Sequence, residues 1–322
     1  MKKITAGAIA LAMLLAMVLS GAALSEAGRI SVVTTIFPIY DWARQVVGDR
    51  ENVEVTLLLD SGVDLHSYQP TARDIVTLSA CDVFVYVGGE SDGWAEDALA
   101  GAANPGRVVV NLMATTGEDA REEERVEGME PGEEEEEEEA GEAGYDEHVW
   151  LSLRNAQKLV RAIADALGKA DPADAEAYAA NAAAYIESLA ALDAEYAAAR
   201  EAADFDTLLF GDRFPFRYLA EDYGLNYYAA FSGCSAESEA SFGTIAFLAG
   251  KVDELGLTTV LTLEGDDHRI AGTIVENTQA KSAKVLAMDS MQSTTRADAA
   301  NGATYLGAME KNLEVLKQAL AK

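Results

Sequence analysis

Residues 171–203 read DPADAEAYAANAAAYIESLAALDAEYAAAREAA and separate the two halves of the chain. Ala, Glu and Leu are strong helix formers, and no Gly or Pro follows Pro172, whose ring suits the first turn of a helix. About 30 residues at roughly 1.5 Å each would form a rod about 45 Å long. The stretch therefore predicts a helix over 172–203, which either bridges two domains or lies inside a single one.

Short apolar runs alternate with helical periods on both sides of this helix. Before it, strands are predicted at 30–35, 53–59, 81–87 and 107–112, and helices at 38–47, 72–78 and 155–167. After it, strands are predicted at 207–210, 226–231, 258–263 and 284–288, and helices at 214–222, 241–255, 269–278 and 305–320. This alternation is typical of parallel sheets wrapped by helices. The predicted fold class is α/β, with two lobes, each a mostly parallel sheet wrapped by helices, joined by one long bridging helix.

These patterns also define a domain organisation for the 322 residues. An N-terminal lobe is predicted at 29–170 and a C-terminal lobe at 206–322, on either side of the bridging helix at 172–203. The first lobe contains an acidic insertion at 118–147. Residues 1–25 precede both lobes and have the composition of a signal peptide.

The N-terminal segment has three features of a secretory signal. The first three residues, MKK, precede an uncharged run at 4–24 that is rich in Ala, Leu and Met and ends in small residues. The run is also long enough to span a bilayer, so an uncleaved anchor is the alternative. The tripeptide LSG at 19–21 is followed by Ala22 rather than Cys, so lipid attachment is not expected at the usual position. We expect the mature protein to be exported, in the periplasm or another extracytoplasmic space.

The charge of the chain is strongly negative and unevenly spread. The formal net charge is −31, and residues 118–147 carry 17 acidic and two basic side chains, a net of −15. Nucleic-acid binding needs clustered Lys and Arg, so this balance argues against it, and it also disfavours anionic lipid. The glutamate-rich insertion has nothing to bury and is predicted to be solvated and mobile. It is either a solubilising loop or a weak collector of cations.

Three histidines carry the chemical signal of the sequence. His66 follows the strand predicted at 53–59, His268 follows the strand at 258–263, and His148 follows the acidic insertion. Each has a carboxylate within two residues, and loops at the carboxyl ends of parallel strands gather binding residues in a crevice. Imidazole and carboxylate groups in such loops indicate a metal site.

Several motifs carry a resemblance to a known family. They are VTTIFP at 33–38, DLHSYQP at 64–70, HVWL at 148–151, YLA at 218–220 and YGL at 223–225. In these motifs and their order the chain resembles the substrate-binding proteins of ABC-type zinc and manganese importers, over essentially its whole mature length. The resemblance implies two lobes joined by a rigid helix and one metal ion in the cleft between them. It also implies a monomer that catalyses no reaction and delivers the ion to a membrane permease with its own ATPase.

The resemblance also implies ligand positions, which this chain matches only in part. His66 and His148 match the first two family ligands. The third family ligand is His or Glu, and an ungapped match places Arg213 there, a cation that cannot bind a metal ion. The neighbouring Asp212 could take the role if the loop shifts by one residue, and Glu237 is a reserve candidate.

The fourth family ligand is an Asp in the loop that matches residues 264–269. Depending on the position of a one-residue gap, it falls on Asp267 or on His268. We favour His268, because imidazole suits zinc better than another carboxylate would. The alternative for His268 is a helix N-terminal residue hydrogen-bonded to Asp266. The expected metal site is therefore His66, His148, His268 and Asp212.

This ligand set favours Zn²⁺ as the transported ion over Mn²⁺, which prefers more oxygen ligands. A manganese-binding member of the family and a surface adhesin on the same fold are the alternatives. A secreted zinc hydrolase is disfavoured, because the sequence has spare carboxylates such as Glu147 and Glu264 but neither a His-Glu-x-x-His helix nor a nucleophile elbow.

Overall fold

The computed structural model describes residues 28–101, 104–130, 144–233, 239–265 and 267–322. The predicted signal peptide, the run of glutamates in the acidic insertion, Glu237 and Asp266 lie outside these ranges. Within them, none of the helices is both long and apolar enough to cross a membrane.

The N-terminal lobe is built on a four-stranded parallel sheet. Its strands are β1 (Ile30–Thr34), β2 (Val53–Leu57), β3 (Val83–Tyr86) and β4 (Val108–Asn111), in the order β2-β1-β3-β4. Its helices are α1 (Phe37–Val47), α2 (Ala72–Ala80), α3 (Trp94–Ala100), α4 (Leu112–Thr116) and α5 (Leu153–Ala170). Val32 pairs with Val55 on one side and Val83 on the other, so valines continue across the middle of the sheet.

The C-terminal lobe repeats this plan. Its strands are β5 (Thr207–Arg213), β6 (Asn226–Phe231), β7 (Thr259–Leu263) and β8 (Lys284–Met288), all parallel and in the order β6-β5-β7-β8. Its helices are α7 (Arg217–Asp222), α8 (Phe242–Leu255), α9 (Arg269–Asn277), α10 (Arg296–Ala300) and α11 (Tyr305–Ala319). In both sheets the first strand in sequence lies second in space, so the carboxyl ends of its neighbours flank one crevice.

The Ala-rich stretch forms one helix, α6 (Ala175–Glu201), of 27 residues. Its buried side chains recur every three or four residues and so form one stripe: Tyr178, Ala182, Tyr185, Leu189, Leu192 and Tyr196. Near its start, Asn181 Nδ2 donates to Val46 O of the N-terminal lobe at 3.0 Å, and near its end Tyr196 OH donates to Met309 O of the C-terminal lobe at 2.6 Å. The helix therefore bridges the two lobes, and the predicted fold class is confirmed.

A second buried joint lies beside the cleft. Trp150 is fully buried, and its Nε1 donates to Ser290 O of the C-terminal lobe at 3.0 Å. Tyr305 OH of α11 donates to Trp150 O at 2.6 Å, and the Tyr305 ring packs edge-on against Trp42 with 5.0 Å between centroids. These contacts fix the position of each lobe relative to the other.

The flanks of the acidic insertion differ from the expectation of a solvated segment. Arg121 Nε donates to Glu221 at 2.7 Å, and Glu130 N donates to Ala230 O of β6 at 3.0 Å. Arg121 and Glu130 therefore contact the C-terminal lobe, while Asp119 pairs with Lys158 of α5 in the N-terminal lobe. The expectation of a free, solvated insertion over all of 118–147 is corrected for this part.

The buried joint generates a stability prediction. Replacing Tyr305 with Phe removes the hydroxyl that donates to the Trp150 carbonyl, and a buried acceptor that loses its donor costs about 1–3 kcal/mol. We expect Tyr305→Phe to lower the free energy of unfolding in urea by about that amount. Tyr145, 57% exposed, provides the control, and Tyr145→Phe should change it by less than about 0.5 kcal/mol. If both substitutions lowered the free energy of unfolding equally, the stabilising role of the Tyr305–Trp150 hydrogen bond would be contradicted.

Candidate metal centre

His66 is fixed by the turn that follows β2. Residues Leu65–Ser67 form a single 3₁₀ turn, and Asp64 caps it by accepting a hydrogen bond from His66 N at 2.9 Å. His66 Nδ1 lies 2.7 Å from the hydroxyl of Ser91, in the loop after β3. With Nδ1 engaged by Ser91, the Nε2 atom is left to meet a ligand.

His148 is held in the same way, just before α5. Asp146 Oδ1 accepts from His148 N at 2.8 Å and lies 3.0 Å from His148 Nδ1. An ionised carboxylate can only accept, so Nδ1 carries a proton, and in the neutral ring Nε2 has the free lone pair. The imidazole is fully buried and tilts against the Trp150 ring, with 5.1 Å between centroids. Tyr218 OH of the C-terminal lobe supports this loop by donating to Asp146 O at 2.7 Å.

The two imidazoles face each other through their Nε2 atoms. His66 Nε2 and His148 Nε2 are 3.3 Å apart. Two nitrogens that each lie about 2.0–2.1 Å from one tetrahedral ion are separated by roughly 3.3–3.4 Å. The structure therefore holds this pair at the spacing that a shared zinc ion requires.

Burial and neighbouring charges move the pKa values of the pair in opposite directions. Burial, the nearby His148 and the Arg213 charge lower the pKa of His66 to about 4, although Asp64 opposes this. Burial also acts to lower the pKa of His148, but the charge and hydrogen bond of Asp146 outweigh it and raise the pKa above its usual value. His66 is thus prepared to be a neutral nitrogen ligand near neutral pH.

The C-terminal lobe brings Arg213 and Gln292 to this pair. Arg213 Nη2 lies 3.2 Å from Asp64 Oδ2. The side-chain amide of Gln292, oriented so that both its ends are satisfied, donates to the Asp64 oxygens at 3.1 and 3.2 Å. Burial would raise the pKa of Asp64, but the His66 and Arg213 charges outweigh it and lower the pKa. A Cβ at Gly233 would lie 3.2 Å from His148 Cε1, so glycine permits this close approach.

The other two expected ligands do not lie with the histidine pair in this structure. Asp212 turns toward β7, where its Oδ2 accepts from Thr262 Oγ1 at 2.9 Å and from Leu263 N at 3.1 Å. His268 is exposed and begins α9 with a left-handed backbone, φ 59°. Asp267 is also exposed, and its carboxylate pairs with Arg269. Among the residues that the structure describes, no group of three or more His, Cys, Asp or Glu side chains is arranged to hold a metal ion.

Some residues around the pair were not singled out from the sequence. Asp64 and Asp146 each stand two residues before a site histidine, and each accepts a hydrogen bond from that histidine's backbone N. The repeated Asp-x-His spacing was the signal that could have identified them as positioning residues. Ser91 and Gln292 had no such signal, since only the fold brings their loops to the site.

Glu147 adds a buried carboxylate behind His66. Its Oε1 accepts from Ser91 N at 3.0 Å, and its Oε2 lies 4.0 Å from His66 Nδ1 without a hydrogen-bond partner. Burial raises the pKa of Glu147, although its hydrogen bonds to Ser91 oppose the shift. Glu147 therefore fixes the Ser91 loop and with it the partner of His66.

The fold and the site together define a class of protein. Two α/β lobes joined by a rigid helix, with paired imidazoles from two loops in the crevice between them, are the architecture of a binding protein for a small ligand. A family model described as ZnuA, zinc-uptake complex component A, periplasmic, matches residues 32–319. The chain belongs to this family, which confirms the resemblance drawn from the sequence motifs.

Individual relatives agree with this assignment. The chain is 33% identical over 297 residues to the zinc-binding lipoprotein AdcA of Streptococcus pneumoniae, covering 90% of this chain and 56% of that protein. It is 31% identical to the high-affinity zinc uptake system protein ZnuA of Bacillus subtilis, covering 93% of this chain and 90% of that protein. The crystal structure of the Zn(II)-bound ZnuA-like domain of S. pneumoniae AdcA matches with a TM-score of 0.71 at 31% identity, over 91% of this chain and 99% of that domain. The chain thus spans about half the length of AdcA and nearly all of B. subtilis ZnuA.

The opposed pKa shifts generate a titration prediction. In metal-free protein, His66 should titrate near pH 4 and His148 above its usual value of about 6.5. The unfolded chain protonates His66 near pH 6.5, so this group lowers the free energy of unfolding as the pH falls from about 6.5 to about 4. His148 acts oppositely, because its contribution is full below about pH 6.5 and is lost as the pH rises through its raised pKa. Imidazole NMR signals, assigned with the His66→Gln and His268→Gln variants, would measure both pKa values, and two unshifted titrations would contradict the described electrostatics.

Proposed function

We propose that this chain captures Zn²⁺ in the cleft between its lobes and delivers it to an ABC-type membrane permease for import. The observation that supports this most directly is the 3.3 Å spacing of His66 Nε2 and His148 Nε2, with both Nδ1 atoms occupied by hydrogen-bond partners. Membership of a zinc-uptake family gives independent support.

The proposed ligands are His66, His148, His268 and Asp212. The first two need no rearrangement. Asp212 would exchange its hydrogen bonds to β7 for the ion, and the loop before α9 would turn His268 inward. These are local changes at two loop ends, and they fit a protein whose lobes are held by α6 and the Trp150 joint.

The donor set favours zinc over manganese. Two imidazoles and one further nitrogen suit the tetrahedral preference of Zn²⁺, whereas Mn²⁺ prefers oxygen ligands. We infer capture and delivery rather than catalysis, because the proposed set uses all four positions and leaves none open for a reacting water. Binding should release protons from the imidazoles and raise thermal stability by mass action.

We further propose that the chain acts outside the cytoplasm, as a monomer that docks on its permease. The segment at 1–25 would direct export. The AdcA relative is described as a lipoprotein, whereas Ala22 follows the tripeptide at 19–21 in this chain. That difference favours a mature form without lipid at this position.

Zinc titration of metal-stripped protein tests the proposal. We expect one tight site per chain, and His148→Ala should weaken it by about 100-fold or more, because it removes a ligand that is already positioned. Asp165 is exposed on α5, and Asp165→Asn should leave the affinity unchanged. Competition with a chromophoric chelator would measure the zinc affinities of the wild type and the two variants. Wild-type affinity in the His148→Ala variant would show that the site is wrongly assigned.

Separate replacement of the second-lobe ligands tests the rest of the site. Asp212→Asn and His268→Ala should each weaken zinc binding by roughly tenfold or more if both side chains reach the ion. The same competition assay applies, with circular dichroism to confirm folding. If one of these variants retains wild-type zinc affinity, the substituted residue is not a ligand, and the assignment of His66 and His148 is unaffected.

A further inference from the structure

A cation of the C-terminal lobe lies beside the histidine pair. Arg213 ends β5, and its Nη2 is 3.2 Å from Asp64 Oδ2 in the turn that carries His66. The two side chains are only 24% and 21% exposed, so water screens their charges weakly. The ion pair connects the two lobes across the proposed metal cleft.

Asp64 is fully engaged in this arrangement. Its Oδ1 accepts from His66 N at 2.9 Å, and Gln292 donates to both of its oxygens at 3.1 and 3.2 Å. The same Oδ1 lies 4.0 Å from His66 Nε2. The carboxylate nearest the ligand nitrogen of His66 is therefore already neutralised by the opposite lobe.

This arrangement opposes the arrival of a divalent cation. A guanidinium stays charged at any physiological pH and has no lone pair to offer a metal ion. An ion between His66 and His148 would face Arg213 across a partly buried space, where charge repulsion is stronger than in water. The negative charge of Asp64, which could attract the ion, is already balanced by Arg213.

We propose that the Arg213–Asp64 ion pair is a gate on the metal site, and that zinc binds by replacing Arg213 as the partner of Asp64. The gate deepens the proposed function and rests on it. Arg213 is then the residue that sets the affinity of the site. It weakens zinc binding in the closed arrangement and withdraws when the ion occupies the cleft.

Charge substitution at Arg213 tests the gate in the full-length chain. Arg213→Gln should bind zinc roughly tenfold or more tightly than wild type, because repulsion and competition for Asp64 both disappear. Arg213→Lys keeps the charge and should stay within about threefold of wild type. Zinc competition with a chromophoric chelator measures each affinity, and thermal unfolding of the metal-free variants confirms that they fold.

Arg296 offers a matched control. Its guanidinium pairs with Asp60 at 3.0 Å and so forms another Arg–Asp bridge between the lobes. Arg296→Gln removes the same charge and also an interlobe ion pair, and zinc affinity should stay near wild type. If Arg296→Gln raised the zinc affinity as much as Arg213→Gln does, the effect would come from weaker contact between the lobes or from the change in net charge. That result would overturn the gate.

Asp64→Asn completes a double-mutant cycle. The gain from Arg213→Gln should be smaller in the Asp64→Asn background, since competition for that carboxylate is then absent and only direct charge repulsion remains. A gain that persists in full, or an Arg213→Gln variant that binds no tighter than wild type, would overturn the gate while leaving zinc capture intact. Absence of zinc binding in both wild type and Arg213→Gln would instead contradict the proposed function together with the gate.

Discussion

Two imidazole nitrogens face each other at 3.3 Å, one on the fully buried His148 and one on the partly buried His66, and they impose the constraint on which the site depends. Two protonated rings at this distance would repel strongly, whereas two rings with a single proton between their Nε2 atoms form a hydrogen bond. The space between the two Nε2 atoms is therefore suited to one proton or one metal ion. Asp146 and Ser91 enforce it, since each occupies the far nitrogen of one ring and prevents the ring from turning away.

The architecture maintains that constraint at the level of whole elements. His66 follows β2, His148 precedes α5, and the second lobe contributes the end of β5. The bridging helix α6 is hydrogen-bonded to both lobes, and Trp150 is hydrogen-bonded to the C-terminal lobe directly behind His148. Wide opening would break buried hydrogen bonds, each costly to leave unmade. Rearrangement is therefore concentrated in side chains and loop ends.

The sequence predicts the lobes, and the structure brings together two of the four expected ligands, for identifiable reasons. Short apolar runs, helical periods and the Ala-rich stretch are local features of the sequence, so the two sheets and α6 can be predicted from it. A short helix such as α3 leaves too few residues for such a pattern. His66 and His148 lie in recognisable motifs. The choice between Asp212 and Arg213 was not readable, because adjacent strand residues point to opposite faces and the register of β5 shifts between Phe210 and Arg213. That shift turns Arg213 toward Asp64 and Asp212 toward β7.

Because of this register shift, a positively charged residue, Arg213, lies at the cleft of a strongly acidic chain. A net charge of −31 attracts cations to the surface in general, but it acts too far from the cleft to select one. In the proposed site, selection would depend on two nitrogens, one compensated carboxylate and one guanidinium within a few ångströms of each other. A carrier protein must also give up its ion, and every 1.4 kcal/mol of affinity is about tenfold in the dissociation constant. Arg213, which is held at the site by Asp64, opposes tight retention of the metal ion. It can pair with Asp64 again as the metal ion leaves.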